Sequence, residues 1–462
     1  MLLEFKMKNF KSFKEELDFK MIPSQIKDLE YSLICKIVNG KKISGLSSAT
    51  IYGPNSAGKT NIIGGMDVLR SIILKGNIRN NEKMTTPDAA VDRLELIPNI
   101  ESESDEPVSF YIKFLTQGII VEYKLSVLLG KFADLEYDRK IISEELIINN
   151  TMIYMRDNDL TIGKVNNINE FLIENFSKDT AEKISKTNLD SKELFFNGMF
   201  KSLYSKKIFD IIYEWFRDDF KIVYHADMIH FSPVISSENK EKKYYIDKSL
   251  NKAIKDFGLT SKQIAYPMNG DKDAIEPLSM IESKGKNVIL PAEFFESFGT
   301  IRFLNIFPII LMTIIKGSTL VIDELDASIH PMAIMNIINI FHNDEINKNG
   351  AQLIFNTHNP IFLNNALLRR DEIKFVEKED KGSIQYSLSD FGTNGSNGVR
   401  NTEDYMKNYF VNKYGAIKDI DFSDIFTEKM RKEDKNWKKY VISIIYQWRE
   451  KQKNGILSTY RN

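Results

Sequence analysis

The chain has 462 residues, of which 42% are hydrophobic, enough for two or three domains with sizeable cores. Its formal net charge of −1 excludes a global field that would attract nucleic acid or an anionic membrane, so any such contact needs a local patch. The single cysteine, Cys35, excludes a disulfide framework and a cysteine-based zinc site, and it suits a reducing compartment.

The N-terminal residues predict strands and no export signal. Apolar and polar side chains alternate over residues 1–20, and charges recur every few positions, which is not typical of a signal peptide. The longest apolar run, Phe303–Ile315, contains Asn305 and Pro308 and is too short to span a bilayer. We therefore expect a soluble, cytoplasmic protein without membrane contact.

The stretch ATIYGPNSAGKTNIIGG, residues 49–65, carries the strongest motif. An apolar run before the loop predicts a buried strand, and apolar residues at helical spacing follow it. Between them, Gly53-x4-Gly58-Lys59-Thr60 matches the phosphate-binding loop in the strand–loop–helix context that this motif requires. The predicted nucleotide-binding residues of this loop are Gly53, Pro54, Asn55, Ser56, Ala57, Gly58, Lys59, Thr60 and Asn61.

The residue types of the loop fit binding of a nucleotide phosphate. Main-chain N–H groups of the loop and of the helix start would face the phosphates, and the helix dipole favours negative charge there. Lys59 would contact the β- and γ-phosphates, and the hydroxyl group of Thr60 would bind Mg2+.

In the middle of the chain, a predicted antiparallel meander is followed by a predicted helical segment. Segments with a period of two between Val108 and Met155, separated by a turn at Thr116-Gln117-Gly118, predict an antiparallel meander. Residues 168–284 are predicted to be a compact, charged helical insertion, because sustained heptads are absent.

The stretch TLVIDELD predicts a buried strand that ends in two carboxylates, Asp323 and Glu324. Beside a phosphate loop, the first carboxylate would lie near Mg2+, and the second could orient or deprotonate an attacking water molecule. A strand that ends in two acids can also be purely structural. The phosphate loop upstream favours the functional interpretation.

Two further segments flank the acidic pair. Ser297-Phe298-Gly299 predicts a helix start, which is either an anion site or a simple helix cap. His358 follows the apolar strand QLIFNT, from which its side chain could sense a γ-phosphate, although a lone histidine is commonly structural. Asp326 lies in the loop after the acidic pair. His330, before Pro331, is expected to be structural.

Taken in order, these elements resemble the ABC-type ATPase heads of the SMC and RecF group, whose opening strands are similar to KMKNFKSF, residues 6–13. The chain resembles more closely the stand-alone AAA ATPases of bacterial anti-phage systems. These are relatives of the overcoming-lysogenisation-defect (OLD) ATPases and include the RloA and abortive-infection AbiL types and the ATPase of the PARIS system. The likeness rests on GPNSAGKTNII, ESFGTIRFLNIFPIIL, DELDASIHPMAI, FNTHNPIFLNN and LLRRDEIKFVEKEDKGS.

The resemblance implies an α/β fold, a P-loop NTPase of the ABC/SMC-head type with a helical insertion and a helical C-terminal extension. Residues 1–167 would form the N-terminal part of the ATPase head, 168–284 the helical insertion, 285–400 the C-terminal part of the head, and 401–462 the extension.

The resemblance also implies ATP and Mg2+ as cofactors. Thr60 and Asp323 would be the metal ligands, and Glu324 and His358 the catalytic residues. Ser297 and Gly299 would form a signature that contacts the nucleotide bound to a second subunit, and Asp326 would lie between the subunits. A homodimer, or a higher homo-oligomer, is therefore expected.

Three features depart from the family pattern. Ser56 stands where many ABC loops have glycine, and the signature SFG is shorter than the Ser-Gly-Gly form. The glutamine loop has no assigned position, because Gln117 lies in a predicted hairpin turn.

The resemblance implies that the chain is the sensor ATPase of an anti-phage system. It would control a separately encoded effector, a TOPRIM-type or other nuclease, in response to a phage trigger protein. The acids of FVEKEDKG and KDIDFSD superficially resemble those of a TOPRIM nuclease, but a surface hairpin at Lys381-Gly382 is the favoured interpretation.

Other functions remain open. A RecF-like DNA repair ATPase would need a basic stripe, and the basic runs at residues 240–243 and 432–439 are interleaved with acids, which favours solvated faces. The third possibility is a nucleotide-dependent scaffold that hydrolyses little, and the intact Glu324 argues against it. The apolar face between Trp437 and Trp448 packs either on the chain's own head or against another chain.

Overall fold

The computed structural model describes residues 1–79, 95–134, 137–224, 244–267, 276–393, 398–418 and 420–425. One compact unit covers Met1–Ile417, and a second begins at Lys418. Both basic runs and the Trp437–Trp448 face lie outside the described residues, so the predictions made for them remain predictions.

The described strands and helices have the following bounds. The strands are Leu2–Lys8 (β1), Leu17–Lys20 (β2), Leu33–Val38 (β3), Lys41–Leu46 (β4), Ser48–Tyr52 (β5), Val108–Thr116 (β6), Ile119–Leu128 (β7), Lys140–Ile148 (β8), Thr151–Arg156 (β9), Leu160–Ile162 (β10), Phe220–Val223 (β11), Tyr244–Tyr245 (β12), Gln263–Pro267 (β13), Leu278–Ser283 (β14), Lys286–Pro291 (β15), Thr319–Ile322 (β16), Gln352–Asn356 (β17), Ile373–Glu379 (β18) and Gly382–Ser387 (β19). The α-helices are Lys59–Lys75 (α1), Lys178–Thr187 (α2), Lys201–Leu203 (α3), Lys206–Glu214 (α4), Lys248–Phe257 (α5), Ala292–Phe295 (α6), Phe298–Lys316 (α7), Pro331–His342 (α8) and Tyr405–Phe410 (α9).

A six-stranded sheet carries the predicted site. Its order is β11-β16-β17-β5-β18-β19, and all neighbours are parallel except the pair β18 and β19. Every residue of β5, β16 and β17 is buried, as expected for parallel strands covered on both faces. The predicted buried strands at TLVI and QLIFN are therefore present, and they pair with each other in parallel.

A seven-stranded antiparallel sheet, with the order β10-β9-β8-β7-β6-β1-β2, contains the predicted meander. The turn between β6 and β7 includes Gln117 at a φ of +41°, as the hairpin prediction requires. The predicted α/β fold is confirmed, because a parallel sheet with a phosphate loop after its strand β5 is combined with helices and this antiparallel sheet.

The predicted helical insertion, residues 168–284, needs a correction. It contains α2–α5, but it also supplies β11, which pairs with β16 at the edge of the six-stranded sheet. Strands β12–β15 form a separate four-stranded sheet that extends to Pro291. A four-residue strand such as FKIV has too little periodicity to be recognised within a helical context, because its stability comes from pairing with a distant neighbour.

The hairpin of β18 and β19 needs a second correction. Its turn lies at the predicted place, but the hairpin is not a surface feature, because β18 pairs in parallel with β5. The first four residues of β18 are buried.

Helix α7 is, by length and composition, the one described helix that could cross a membrane, with a mean hydropathy of 1.9 in its most apolar window. Half of that window is buried inside the fold. Phe303, Leu304, Ile306 and Ile310 of this helix belong to the core that also contains β16 and α8. The predicted buried helix is therefore present, with its N-terminus at the signature segment.

Candidate active site

The phosphate loop spans residues 53–58, between β5 and α1. Gly58 has a φ of +111°, and a Cβ atom at this position would lie 2.6 Å from Ser12 Oγ and 2.7 Å from Ser383 Oγ. Asn61 Nδ2 donates a hydrogen bond to the same Ser12 Oγ at 2.8 Å. The N-terminal segment and the start of β19 therefore support the loop, and glycine is required where they approach it.

Lys59 is buried within the loop that it follows. Its Nζ atom donates to the main-chain oxygens of Gly53 at 2.8 Å and Pro54 at 3.0 Å. Burial lowers the pKa of Lys59 to about 8, while the charges of Glu324 and Asp323 raise it. An anion bound at this loop would favour the charged ammonium form, so the position suits a phosphate group.

Asn356, which the sequence analysis did not single out, connects the loop to the acidic strand end. Its Nδ2 atom donates to Asp323 Oδ1 at 2.5 Å, and its Oδ1 atom accepts from the N–H group of Glu324 at 2.5 Å. Thr60 Oγ1 donates to the same oxygen of Asp323 at 3.1 Å. Asn356 is a polar residue at the end of a buried parallel strand, two residues before His358 in the FNTHNP stretch. This position is the sequence feature that could have indicated its role.

The donor set fits Mg2+. Thr60 and Asp323 bring a hydroxyl and a carboxylate oxygen to one place, and Mg2+ prefers such hard ligands. Within the described part of the chain, no group of three or more His, Cys, Asp or Glu residues forms a separate metal cage. Mg2+ is commonly held by one or two carboxylates together with substrate phosphates, which agrees with this arrangement.

Glu324 is exposed, and its backbone adopts a left-handed conformation with a φ of +50°. Its carbonyl oxygen accepts a hydrogen bond from Arg302 Nη2 at 2.6 Å. Arg302 is a second residue that the sequence analysis did not single out. The carboxylate of Glu324 is close enough to Lys59 to raise the pKa of that lysine, so the predicted base belongs to the same site.

His358 and Asp326 also belong to this region. Burial and the positive charge of Lys59 lower the pKa of His358, whereas Glu324, Asp326 and Asp323 raise it. Thr357 Oγ1 donates to Asp326 Oδ2 at 2.6 Å, and burial raises the pKa of Asp326. The structure thus brings the predicted histidine and the acidic loop to the lysine of the phosphate loop.

The signature residues lie at the other end of the acidic loop. Ser297 caps α7, because its Oγ atom accepts from the N–H group of Thr300 at 3.1 Å. A Cβ atom on Gly299 would lie 2.4 Å from the main-chain oxygen of Ser328, so this contact needs glycine. His330 Nδ1 caps α8 by accepting from Met332 N at 3.2 Å, which agrees with a structural role. The binding and catalytic roles assigned to all these side chains remain predictions.

One protein family and a set of solved structures match this chain. A protein family described as "AAA domain, putative AbiEii toxin, Type IV TA system" matches residues 48–364, which is more than half of the chain. Among solved structures, an SMC head domain from Thermotoga maritima is similar at 13% identity with a TM-score of 0.33, over 84% of this chain and 98% of that chain. No curated protein sequence matches significantly.

We predict that Lys59 takes up a proton when a nucleotide binds above pH 8. Lys59 loses its proton as the pH rises through about 8, and a bound phosphate would raise its pKa, so ATP affinity should fall as the pH rises from 7.5 to 9.5. The slope should approach about tenfold per pH unit above pH 8, because one pKa unit corresponds to a tenfold change in equilibrium constant. Calorimetry in buffers of different ionisation enthalpy measures the affinity and the proton uptake together.

Two variants complete this experiment. Lys59→Ala should abolish ATP binding at every pH, whereas Lys75→Ala, at the other end of α1, should keep the affinity and the pH dependence of the wild type. An affinity that is constant from pH 7.5 to 9.5, or binding by Lys59→Ala, would contradict the assignment of the loop.

Proposed function

Because this chain belongs to the AAA-domain family that matches residues 48–364, we propose that it binds and hydrolyses ATP with Mg2+, at a site that two copies of the chain complete. The observation that carries this proposal is the contact of Asp323 with both Thr60 and Asn356, beside the carboxylate of Glu324. The proposal is supported because the acid that we expect to activate the attacking water then lies next to a phosphate loop, an arrangement suited to ATP hydrolysis.

Each residue has a separate role in the proposed reaction. The N–H groups of the loop and the ammonium group of Lys59 bind the phosphates, and Thr60 and Asp323 hold the metal. When bound, Mg2+ neutralises charge on the phosphate oxygens. Glu324 orients a water molecule and accepts its proton, and His358 contacts the γ-phosphate.

A second copy of the chain is proposed to supply Ser297 and Gly299. Large apolar side chains are exposed on the elements that carry the signature, the acidic loop and the histidine: Phe294 is 77% exposed, Phe298 is 68% exposed and Met332 is 63% exposed. Ile361, three residues after His358, is also exposed. Exposed apolar groups beside a polar site are typical of a surface that another protein covers.

We further propose that this ATPase regulates an anti-phage, abortive-infection type of system and acts on a separate effector. Support comes from the description of the matched family, which names a toxin of a toxin–antitoxin system. The acids of FVEKEDKG belong to β18 and the turn after it, and β18 is hydrogen-bonded to β5 in the ATPase sheet. We therefore propose that the nuclease site lies in another protein. This ATPase would control that protein in response to a phage trigger.

We predict that Glu324→Gln binds ATP and retains it. The substitution keeps the size of the side chain and the metal ligand Asp323 but removes the base, so the hydrolysis rate should fall by about 10²–10⁴-fold. Phosphate release and nucleotide retention on the purified protein measure the two effects. Glu345→Gln changes an exposed acid after α8 and should leave both unchanged. Hydrolysis at the wild-type rate by Glu324→Gln would remove Glu324 from the mechanism.

We predict that two inactive variants restore activity when mixed. Lys59→Ala lacks the phosphate contact, and Ser297→Arg blocks the signature, but a mixed dimer still forms one intact composite site. Roughly half of the wild-type activity per mixed dimer is expected, because one of two sites is complete. The formation of mixed dimers is verified with two differently tagged chains. Verified mixed dimers without activity would contradict a site shared between two copies.

We predict that the purified chain with ATP cleaves neither DNA nor RNA.

A second experiment compares growth after phage infection for cells that carry the gene of this chain alone, the reading frame next to that gene alone, or both. Protection should require both, and it should be lost with Lys59→Ala. Protection by the chain alone, or nuclease activity of the purified chain, would contradict a separate effector. ATPase stimulation by duplex DNA would instead favour the RecF-like alternative.

A further inference from the structure

The backbone of Glu324 has an unusual conformation that two distant side chains hold. A φ of +50° is unfavourable for a residue that carries a Cβ atom, and it persists where neighbouring groups enforce it. The N–H group of Glu324 donates to Asn356 Oδ1 at 2.5 Å, and its carbonyl oxygen accepts from Arg302 Nη2 at 2.6 Å. Both polar main-chain atoms of the proposed base therefore bind side chains, and the carbonyl oxygen also accepts a turn hydrogen bond from the N–H group of Ala327 at 3.1 Å.

Asn356 connects the proposed base to the metal ligand. The side chain is 1% exposed, and its two polar atoms contact different neighbours: Oδ1 holds Glu324, and Nδ2 donates to Asp323 Oδ1 at 2.5 Å. Because the amide is planar and buried at the end of β17, it fixes the distance between the carboxylate of Asp323 and the peptide of Glu324. Replacement of this amide by an apolar side chain would remove both contacts at once.

Arg302 connects the base to the signature helix. The side chain is 7% exposed and lies in the second turn of α7, five residues after the capping Ser297. The same end of α7 touches the acidic loop through Gly299 and Ser328. A displacement of the first turn of α7 would therefore move both the acidic loop and the carbonyl group of Glu324.

We propose that Arg302 and Asn356 are positioning residues that hold the Glu324 peptide in its left-handed conformation, and that Arg302 transmits the state of the signature turn to the base. The inference rests on the proposed function and deepens it, because it specifies how the signature of one chain regulates that chain's own base. Without these two contacts only the turn hydrogen bond from the N–H group of Ala327 restrains the peptide. The peptide can then relax toward an unstrained conformation, and the carboxylate moves away from the attacking water.

Loss of the Arg302 contact should lower kcat for ATP hydrolysis and leave the affinity for ATP nearly unchanged. A misplacement of about 1 Å at a reacting group can cost about 10²-fold in rate, so Arg302→Met and Asn356→Leu should each lower kcat by about 10–10²-fold. The contact of Arg302 that matters here is with the peptide of Glu324, so Arg302→Met should leave the Kd for ATP within about threefold. Asn356 also contacts Asp323 and Thr60, so Asn356→Leu tests the inference through kcat alone.

A double-mutant cycle distinguishes positioning from a general structural effect. If Arg302 acts through the base, adding Arg302→Met to Glu324→Gln should lower kcat by less than about threefold further, because the group that it positions is already absent. Arg302→Lys retains one donor and should recover part of the rate. Arg156→Met is the control for the loss of a buried guanidinium, because Arg156 also donates to main-chain oxygens, but in the antiparallel sheet. Its pairing with the buried Glu144 makes it the more severe structural change of the two.

The possible results separate the inference from the proposed function. If the wild type hydrolyses no ATP, or if Glu324→Gln is as fast as the wild type, both fail. If Glu324→Gln is slow but Arg302→Met is as fast as the wild type, or slows Glu324→Gln by the full single-mutant factor, only the inference fails. The inference is also overturned if Arg302→Met prevents ATP-dependent association in the Glu324→Gln background, because Arg302 would then act in assembly. If Arg302→Met does not fold, Arg302→Lys and the cycle of Asn356→Leu with Glu324→Gln decide the matter.

Discussion

Strand β17 is hydrogen-bonded in parallel to β5 on one side and to β16 on the other, and the active site depends on this pairing. Residue Phe355 of β17 lies opposite Thr50 in β5 and Ile322 in β16, so the three strands end at the same edge of the sheet. The carboxyl edge of an open α/β sheet is where ligands bind, because the loops diverge there and leave polar main-chain groups free. Thr60 and Asp323 meet at this edge although 263 residues separate them in the chain.

The opposite end of the same sheet, where its parallel strands begin, is held by buried hydrogen bonds and ion pairs. Glu372 is fully buried, accepts from the N–H group of Ser48 at 3.3 Å, and lies 3.0 Å from His342 Nε2. These contacts join the starts of β5 and β18 to the end of α8, and two neighbouring pairs, Arg369–Asp371 and Arg370–Asp28, extend them. Buried ion pairs add little net stability compared with apolar packing, but breaking one of them leaves an uncompensated charge, so they favour a single arrangement of the strands. The LLRRDEIKFVEK stretch thus favours one register at the end of the sheet that is remote from the phosphate loop.

The sequence predicts the parts of the site that depend on local spacing. The phosphate loop needs only a strand, an eight-residue motif and the helix in which the motif ends. Asp323 needs only the end of an apolar run, so both follow from neighbouring residues. Asn356 and Arg302 could not be identified in this way, because their partner Glu324 lies 32 and 22 residues away and the contacts depend on strand order and on the angle of α7. The same limit applies to β11, whose four residues acquire their strand conformation from pairing with β16.

Left-handed residues follow helices α1 and α7 and strand β16. Glycine occupies the two positions after these helices, whereas the position after the strand carries a side chain. After α1 and α7 the chain needs a left-handed residue, and glycine occupies both places, at Gly76 and Gly317. After β16 the chain adopts a similar φ, but the residue is Glu324. Such a residue carries a strain of about 1–3 kcal/mol, and glycine would relieve it at the loss of the carboxylate. The chain keeps the acid and holds its peptide from both sides. Such an arrangement is expected if the direction of this carboxylate matters, as the proposed role of Glu324 in activating water requires.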